Sequence, residues 1–176
     1  AKADANGNLL NFQIIHSARF GRGISLTPDG GFVVTGTAGV EHVPGWADSD
    51  YIIFKYNQYG ILQSQLTFGS AIGEEEGYEA FPMNDGGYIL IGETIYPFGS
   101  NHLLGFGILR IDSAGHEMWN KTIGSTQPCY FGFAMQDFDG GVIMGGQCTV
   151  YDNDYPGGAW VPKGIISKIS AQGIQE

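Results

Sequence analysis

The stretch Asp85-Gly86-Gly87-Tyr88-Ile89-Leu90-Ile91-Gly92 decides the fold, because the chain contains it three times. The other copies are Asp29-Gly30-Gly31-Phe32-Val33-Val34-Thr35-Gly36 and Asp139-Gly140-Gly141-Val142-Ile143-Met144-Gly145-Gly146. In each copy, an Asp-Gly turn supplies the positive φ angles of a tight hairpin and precedes an apolar run typical of a strand. The closing glycine indicates a bulge or a close approach of two backbones. Gly86 follows Gly30 by 56 residues and Gly140 follows Gly86 by 54, which predicts a repeat architecture.

A second turn recurs with the same period. Its four copies are Asp4-Ala5-Asn6-Gly7, Asn57-Gln58-Tyr59-Gly60, Asp112-Ser113-Ala114-Gly115 and Ser170-Ala171-Gln172-Gly173. A base precedes each turn by two positions, and these bases are Lys2, Lys55, Arg110 and Lys168. We expect each base to lie along its sheet and to pair with a loop carboxylate.

One complete repeat runs from Gly60 to Gly115. The pattern predicts strands at 61–67, 78–82, 88–94 and 106–111, with Glu74-Glu75-Glu76-Gly77 as a solvated acidic loop. Four antiparallel strands joined by hairpins would make one sheet. Since Tyr51-Ile52-Ile53-Phe54 is apolar throughout, neighbouring repeats must stack on both faces of a sheet. The chain is therefore predicted to be one all-β domain, 1–176, with repeats at approximately 7–59, 60–114 and 115–172.

Four-stranded sheets repeated around an axis are the blades of β-propellers. The run Trp119-Asn120-Lys121-Thr122-Ile123-Gly124, followed by the third Asp-Gly-Gly strand and then a base and a turn glycine, resembles the tandem repeats of secreted bacterial and archaeal β-propeller proteins. The resemblance covers the whole chain, although the first copy has Asn11-Phe12-Gln13 in place of the Trp-x-Lys part. It implies propeller-type repeats, three four-stranded antiparallel blades and often a cell-surface location. It implies no single activity.

Three repeats are fewer than the four to eight blades of closed propellers. The two ends of the chain are also in phase, since 1–10 matches 167–176 within the repeat. Three interpretations follow: a piece of a longer array, two copies closing a six-bladed ring, or chains adding head to tail into an open filament. The alternative fold is a threefold β-trefoil or β-prism, which needs three four-stranded units and no partner.

Composition narrows the class of protein. Glycine accounts for 29 of the 176 residues, and apolar residues at 43% with aromatics at 13% argue against disorder. A net charge of −10 argues against nucleic acid or an anionic membrane as partner, and no apolar run is long enough to insert into a membrane. Few charges, much Gly, Asn, Thr and Tyr, and two cysteines indicate an extracellular or cell-surface location.

The predicted long loops between the third and fourth strands carry the candidate binding residues. Rings for stacking on sugars or on a protein are Trp46, Tyr96, Phe98, Tyr155 and Trp160. Oxygen ligands that suit Ca²⁺ are Asp48, Asp50, Asp152 and Asp154. The complete calcium-loop pattern is absent and Asp-x-Asp is common in plain turns, so the prediction is no cofactor, with Ca²⁺ as the one metal that the pattern allows.

Two further sites come from short patterns. Asn120-Lys121-Thr122 fits the N-glycosylation acceptor, within a predicted strand. Cys129 and Cys148 flank the third Asp-Gly turn. If 137–140 form a four-residue loop, Gln136 faces Gly141 and Cys129 faces Cys148, so that a disulfide is predicted.

The histidines His16, His42, His102 and His116 fall at unrelated repeat positions, and no nucleophile, metalloprotease or phosphate-loop motif is present. We therefore predict no catalytic residue. The predicted function is an extracellular structural and adhesive repeat module that self-associates head to tail into a ring or filament. Its expected partners are copies of itself and, in the alternative, glycans bound by a lectin-like rim; a glycoside hydrolase is the third hypothesis.

Overall fold

The computed structural model describes residues 2–43, 46–70, 73–98, 101–124 and 128–176, and these contain strands and turns but no helix. Consequently, none of the described segments is a helix that could cross a membrane. The strands in chain order are β1 (Lys2–Ala3), β2 (Leu9–Asn11), β3 (Phe20–Leu26), β4 (Phe32–Val43), β5 (Trp46–Tyr56), β6 (Leu62–Phe68), β7 (Glu74–Pro82), β8 (Tyr88–Phe98), β9 (Asn101–Ile111), β10 (Glu117–Ile123), β11 (Cys129–Gln136), β12 (Val142–Asp152) and β13 (Ala159–Ile169).

Within the described part of the chain, the strands form three antiparallel sheets and one short pair. The first sheet has the order β3-β4-β5-β6, the second β7-β8-β9-β10 and the third β11-β12-β13, while β1 pairs with β2. No strand of one sheet pairs with a strand of another among these residues. The all-β prediction is therefore confirmed.

The division of the repeat into sheets differs from the prediction by one strand. The strand that follows Gly60, β6, was expected to open the second sheet, but it pairs with β5 and closes the first. In the same way β10 pairs with β9 and closes the second sheet. The physical reason is that the turn at Gly60 is a hairpin turn, and a hairpin joins strands that are neighbours in one sheet.

Seven turns share one hydrogen-bond pattern. In the turn at Gly30, the Gly30 N–H donates to the Thr27 carbonyl and the Thr27 N–H donates to the Gly31 carbonyl. The same two bonds recur in six further turns, whose fourth residues are Gly7, Gly60, Gly86, Gly115, Gly140 and Gly173. Gly30 has φ of 80°, and no non-glycine residue in the described ranges has positive φ. The glycine alone therefore supplies the left-handed conformation, and the preceding Asp, contrary to the prediction, does not.

The first residue of the second turn type is Asp, Asn or Ser because its side-chain oxygen accepts hydrogen bonds from backbone N–H groups of the turn. Asp112 Oδ1 accepts hydrogen bonds from the N–H groups of Ala114 and His116, at 2.9 and 2.8 Å. Asn57 Oδ1 accepts two such bonds in the preceding copy of the turn. These bonds satisfy backbone donors that the tight turn leaves unpaired.

The closing glycine of the repeated stretch lies opposite a β-bulge, as predicted. Gly92 faces Gly77 at the point where the register between β7 and β8 shifts, and a β-carbon on Gly92 would overlap the Glu76 carbonyl oxygen. The equivalent shifts in the other sheets lie between Gly21 and Gly23 and between Phe131 and Phe133. A glycine is needed at this position because two backbones approach too closely for a side chain.

An ion pair links the two recurring turns in each of the three sheets, as predicted for three of the four bases. Lys55 Nζ lies 3.3 Å from Asp29, Arg110 Nη2 lies 2.5 Å from Asp85, and Lys168 Nζ lies 2.7 Å from Asp139. The side chain of Lys2 lies outside the described residues. Each pair ties the first hairpin of a sheet to the end of its third strand.

Apolar clusters lie between consecutive sheets. Between the first and second sheets, Tyr51 and Ile53 pack with Leu90 and Leu109. Between the second and third sheets, a larger cluster joins side chains of β8 and β9 to side chains of the third sheet; its buried members are Met83, Ile89, Ile91, Phe106, Ile108, Cys129, Val142, Met144, Cys148 and Ile169. Among the described residues, the second sheet stacks through both faces, as the uniformly apolar strands predicted. The first sheet, which contains Tyr51-Ile52-Ile53-Phe54, packs on a neighbouring sheet through one face only.

The predicted long loops and the predicted acidic loop are instead largely strand. β4 continues to Val43 and β5 starts at Trp46, while β8 continues to Phe98 and β9 starts at Asn101. The acidic run opens β7, where Glu75 is buried. Cross-strand pairing continues beyond the apolar core because each ladder satisfies its own backbone groups.

Candidate functional site: the outward faces of the first and third sheets

The outward face of the third sheet exposes apolar side chains at repeat positions that are buried elsewhere. Ile166 stands opposite Gly145, as Ile53 stands opposite Thr35 and Ile108 opposite Ile91. The exposed fraction of Ile166 is 76%, whereas it is 3% for Ile53 and 1% for Ile108. The difference arises because the next sheet covers Ile53 and Ile108, and no described element covers Ile166 in this way.

Aromatic and aliphatic neighbours extend this exposed surface. Phe133 and Met135 on β11 are more than half exposed, and the Phe133 ring covers the backbone of Gly145. We call Phe133, Met135, Ile143 and Ile166 the third-sheet face. Solvent-exposed apolar side chains grouped in this way are typical of an interaction surface.

The first sheet has an outward face of its own, and an N-terminal segment covers part of it. Ile15 and Ala18 pack on a buried cluster of Ala38, Ile52, Phe54 and Tyr56. Two hydrogen bonds hold this segment, Gln13 Nε2 to the Gly60 carbonyl at 3.1 Å and Ser17 Oγ to Gln65 Oε1 at 2.9 Å.

The strand β3 leaves another part of the first-sheet face exposed. Ile24 is 67% exposed, while Ala80, which occupies the same position in the second sheet, is 1% exposed. Leu26 on the same strand is also exposed. The two outward faces thus carry side chains at the repeat positions that form the contacts between consecutive sheets, but no described sheet packs on them.

A polar pocket lies at the contact of the first and second sheets. It has a volume of about 90 Å³, and its lining includes Tyr51, Ser70, Glu75 and Thr94. Tyr51 Oη lies 2.9 Å from Thr94 Oγ1. The Glu75 carboxylate accepts hydrogen bonds from the Ser70 hydroxyl at 2.9 Å and from the Ser70 N–H at 3.3 Å.

The acid of this pocket titrates near neutral pH. Burial is the main cause that raises the pKa of Glu75 to about 7, and the negative charges of Asp50 and Asp48 act in the same direction. The two hydrogen bonds from Ser70 oppose the increase but do not outweigh it. The pocket therefore holds a carboxyl group that can exist in either protonation state at physiological pH.

Replacing Glu75 by Gln is expected to change how stability depends on pH. The folded protein keeps the Glu75 proton up to about pH 7, whereas the unfolded chain releases it near pH 4.5, so this group lowers the free energy of unfolding as pH rises between those values. Glu75→Gln removes that loss, and its advantage over wild type should grow by about 3 kcal/mol from pH 4 to pH 8 in urea unfolding. Glu74→Gln, an exposed neighbour on β7, is the control. Parallel pH curves for wild type and Glu75→Gln would contradict the assignment.

The structure brings together only part of the predicted calcium ligands. Asp48 and Asp50 lie on β5 close enough to Glu75 to act on its pKa, and Asp50 is buried. Asp152 accepts a hydrogen bond from the Asp154 N–H at 2.9 Å and forms an ion pair with Lys163 at 2.7 Å, as a plain turn does. The described residues contain no group of three or more His, Cys, Asp or Glu side chains placed to hold a metal ion.

The predicted aromatic rim is described only in part. Tyr155 and Trp160 are about half exposed on the β12–β13 hairpin, and the Trp160 ring packs edge-on against Tyr151 with centroids 5.3 Å apart. The side chains of Trp46, Tyr96 and Phe98 lie outside the described residues.

The predicted glycosylation acceptor, Asn120, is exposed on the edge strand β10. Its amide nitrogen donates a hydrogen bond to Glu117 Oε1 at 2.6 Å. The acceptor nitrogen is therefore on the surface of the second sheet, within a strand as expected.

The structure contains a disulfide between Cys129 and Cys148, which face each other across β11 and β12. The observed register differs from the predicted one at the turn. Gln136 faces Val142 and not Gly141, so the loop is one residue longer than assumed, and the bulge at Gly132 shifts the register back. The two deviations cancel at the cysteines.

Two features of this region were missed by reasoning on the sequence. The third-sheet face was not singled out, although aligning Ile166 with Ile53 and Ile108 would have shown it. Nor was Glu75 recognised as a buried acid; it faces Thr94 at the repeat position where Cys129 faces Cys148. No model of a known protein family matches the chain, and no curated protein matches it either.

Proposed function

We propose that this chain is an extracellular structural and adhesive module of propeller-type repeats, which self-associates head to tail. The observation that carries the proposal is the exposure of Ile166 at a position where Ile53 and Ile108 are buried by the next sheet. A second copy is the partner that fits. Within one chain, the first and second sheets are each covered by residues of the sheet that follows, and the outward face of the first sheet exposes residues at those same repeat positions. The proposal assigns the chain no catalytic activity and no required metal.

The geometry of the stacking supports this choice of partner. On the third-sheet face, Ile143 stands at the position of Val33 and Ile89, both of which are buried against a following sheet. The exposed Ile24 stands at the position of Ala80, which is buried against a preceding sheet. A contact between unlike faces of two identical chains is heterologous, and it continues into a ring or a filament.

An extracellular location is supported by two observations. The disulfide between Cys129 and Cys148 is a bond that persists in oxidising compartments. Charged residues make up only 15% of the chain, and the ion pairs described above use several of them inside the repeats.

The mass of the particle in solution tests the proposal. Sedimentation equilibrium should give a multiple of the 18.9 kDa chain. Ile166→Asp places a charge in the proposed contact and should raise the concentration needed for assembly by about tenfold or more, which corresponds to ~1.4 kcal/mol. The matched control is Met118→Asp, since Met118 is also exposed but lies on β10 of the second sheet. A wild-type chain that stays monomeric over the accessible concentrations would contradict self-association.

A second candidate function has its own support. The half-exposed rings of Tyr155 and Trp160 lie near Asp152 and Asp154 on one hairpin, a combination that suits stacking on sugars. A glycan array compared between wild type and Trp160→Ala would test this lectin-like alternative.

A further inference from the structure

We propose that the contact between the first and second sheets is a pH-sensitive joint, which opens locally when the buried carboxyl group of Glu75 loses its proton. Both sheets belong to one chain, so the joint needs no second copy and is independent of self-association. It is centred on the polar pocket between the two sheets, where Glu75 is only 4% exposed.

The pocket places the acid between groups of both sheets. Its lining includes Tyr51 of β5 and Ser70, which follows β6, on the side of the first sheet, and Thr94 of β8 on the side of the second. Ser70 donates both of its hydrogen bonds to the Glu75 carboxylate, and Tyr51 Oη lies 2.9 Å from Thr94 Oγ1. A change in the charge of Glu75 therefore acts on the contact between the sheets and not on the surface of one of them.

The surroundings of Glu75 disfavour its ionised form. The titratable and charged groups that face it come from β5 and β10, and they are Asp48, Asp50, Tyr51, Glu117 and Lys121. Burial and the negative charges of Asp50 and Asp48 oppose ionisation, while the hydrogen bonds from Ser70 favour it. Lys121 is exposed on the edge strand β10. Loss of the proton therefore leaves a buried negative charge close to two others.

The closed contact binds the Glu75 proton more tightly than a hydrated carboxyl group does. Burial raises the pKa of Glu75 to about 7, whereas a hydrated glutamate has its ordinary value of 4.5. Because the closed state holds more protons between these values, rising pH favours the open state. The ratio of open to closed contact should rise about tenfold from pH 6 to pH 8.

Local opening is sufficient to hydrate the carboxylate. Gly69 lines the pocket, is itself exposed and has no side chain to pack, so water has a short path to the acid. Several members of the apolar cluster between the two sheets, such as Val33, Leu90 and Ile111, do not line the pocket. Their packing can hold the sheets together while the pocket opens.

The same repeat position carries no acid at the contact between the second and third sheets. There Cys129 faces Cys148 as Glu75 faces Thr94, and the two cysteines form a disulfide that has no proton to release. The third sheet is therefore an internal reference for a change that is confined to the joint.

Hydrogen–deuterium exchange measured by mass spectrometry tests the joint. After correction for the intrinsic pH dependence of exchange, amides of β5 and β7 beside the pocket should lose protection about tenfold from pH 6 to pH 8, while amides of β12 keep theirs. Glu75→Gln should abolish the loss in β5 and β7. The control Glu74→Gln, on the exposed neighbour in β7, should behave like wild type.

A second variant tests whether Glu75 is the titrating group. Ser70→Ala removes a hydrogen bond that favours ionised Glu75, so the loss of protection should move to higher pH. If Ser70 served packing alone, its replacement would lower protection at every pH without moving the transition.

Three results would overturn the proposal. One is protection in β5 and β7 that stays constant from pH 6 to pH 8, and another is an equal loss in wild type and Glu75→Gln. The third is a loss that includes β12 to the same extent, because the whole chain would then open together and not the joint alone.

Discussion

Removal of the Cys129–Cys148 disulfide is expected to lower the free energy of unfolding by about 3 kcal/mol. The bond closes a loop with a sequence separation of 19, and closing such a loop lowers the conformational entropy of the unfolded chain. Both cysteines are buried in the cluster between the second and third sheets, so their removal also affects packing. Urea unfolding of wild type and of Cys129→Ala/Cys148→Ala measures the loss.

Two measurements separate the bond from the packing. Reduction of the wild-type protein breaks the bond and keeps both sulfur atoms, so it should account for most of the loss seen in the double variant. Mass analysis without reductant should find no free thiol in the wild-type protein, since the described cysteines are both bonded. Two free thiols, or equal stability of the oxidised and reduced chains, would contradict the prediction.

The turns and strands could be predicted because their determinants are local. The Asp-Gly-Gly stretch contains its own turn glycine, and the apolar run after it forms β4, β8 and β12. The bulge opposite Gly92 could be predicted for the same reason, because a glycine at the end of an apolar strand has few other uses.

The predicted boundary between the first and second sheets is wrong, although the two turn motifs contain part of the information needed to place it. Both recurring turns are hairpin turns, so both join strands of one sheet, and the sheet must end at one of the connections that have neither motif. That connection leads from β6 to β7, where the described residues Gly69, Ser70 and Gly73 form none of the seven hairpin turns. A period alone does not define which strand opens the repeat.

The burial of Glu75 could not be predicted from its own strand, because it depends on a neighbouring sheet. The residue belongs to an acidic run with the composition of a solvated loop. The first sheet, which contributes Tyr51 and Asp50, encloses the carboxyl group, and Ser70 supplies its hydrogen bonds. The same holds for the faces of Ile24 and Ile166, since exposure is a property of the stack and not of the strand.

Replacement of Arg110 by Ala is expected to lower the free energy of unfolding by about 3 kcal/mol, through loss of charged hydrogen bonds in a buried place. The exposed fraction of the Arg110 side chain is 4%. Its guanidinium donates to the carbonyl oxygens of Tyr88 and Ile111 and forms the ion pair with Asp85. The Gly87 N–H and Arg110 together hold the pKa of Asp85 below its ordinary value.

Lys55 is the matched control, because it occupies the same repeat position in the first sheet with a side chain that is 33% exposed. Lys55→Ala removes only a partly solvated ion pair and should cost much less. Arg110→Lys should fall between the two, since a lysine can keep the pair with Asp85 but cannot donate to both carbonyl oxygens at once in the planar fork of arginine. Urea unfolding at pH 7 measures all three variants. Equal losses for Arg110→Ala and Lys55→Ala would contradict the prediction, because burial of the guanidinium would then contribute nothing beyond the exposed pair.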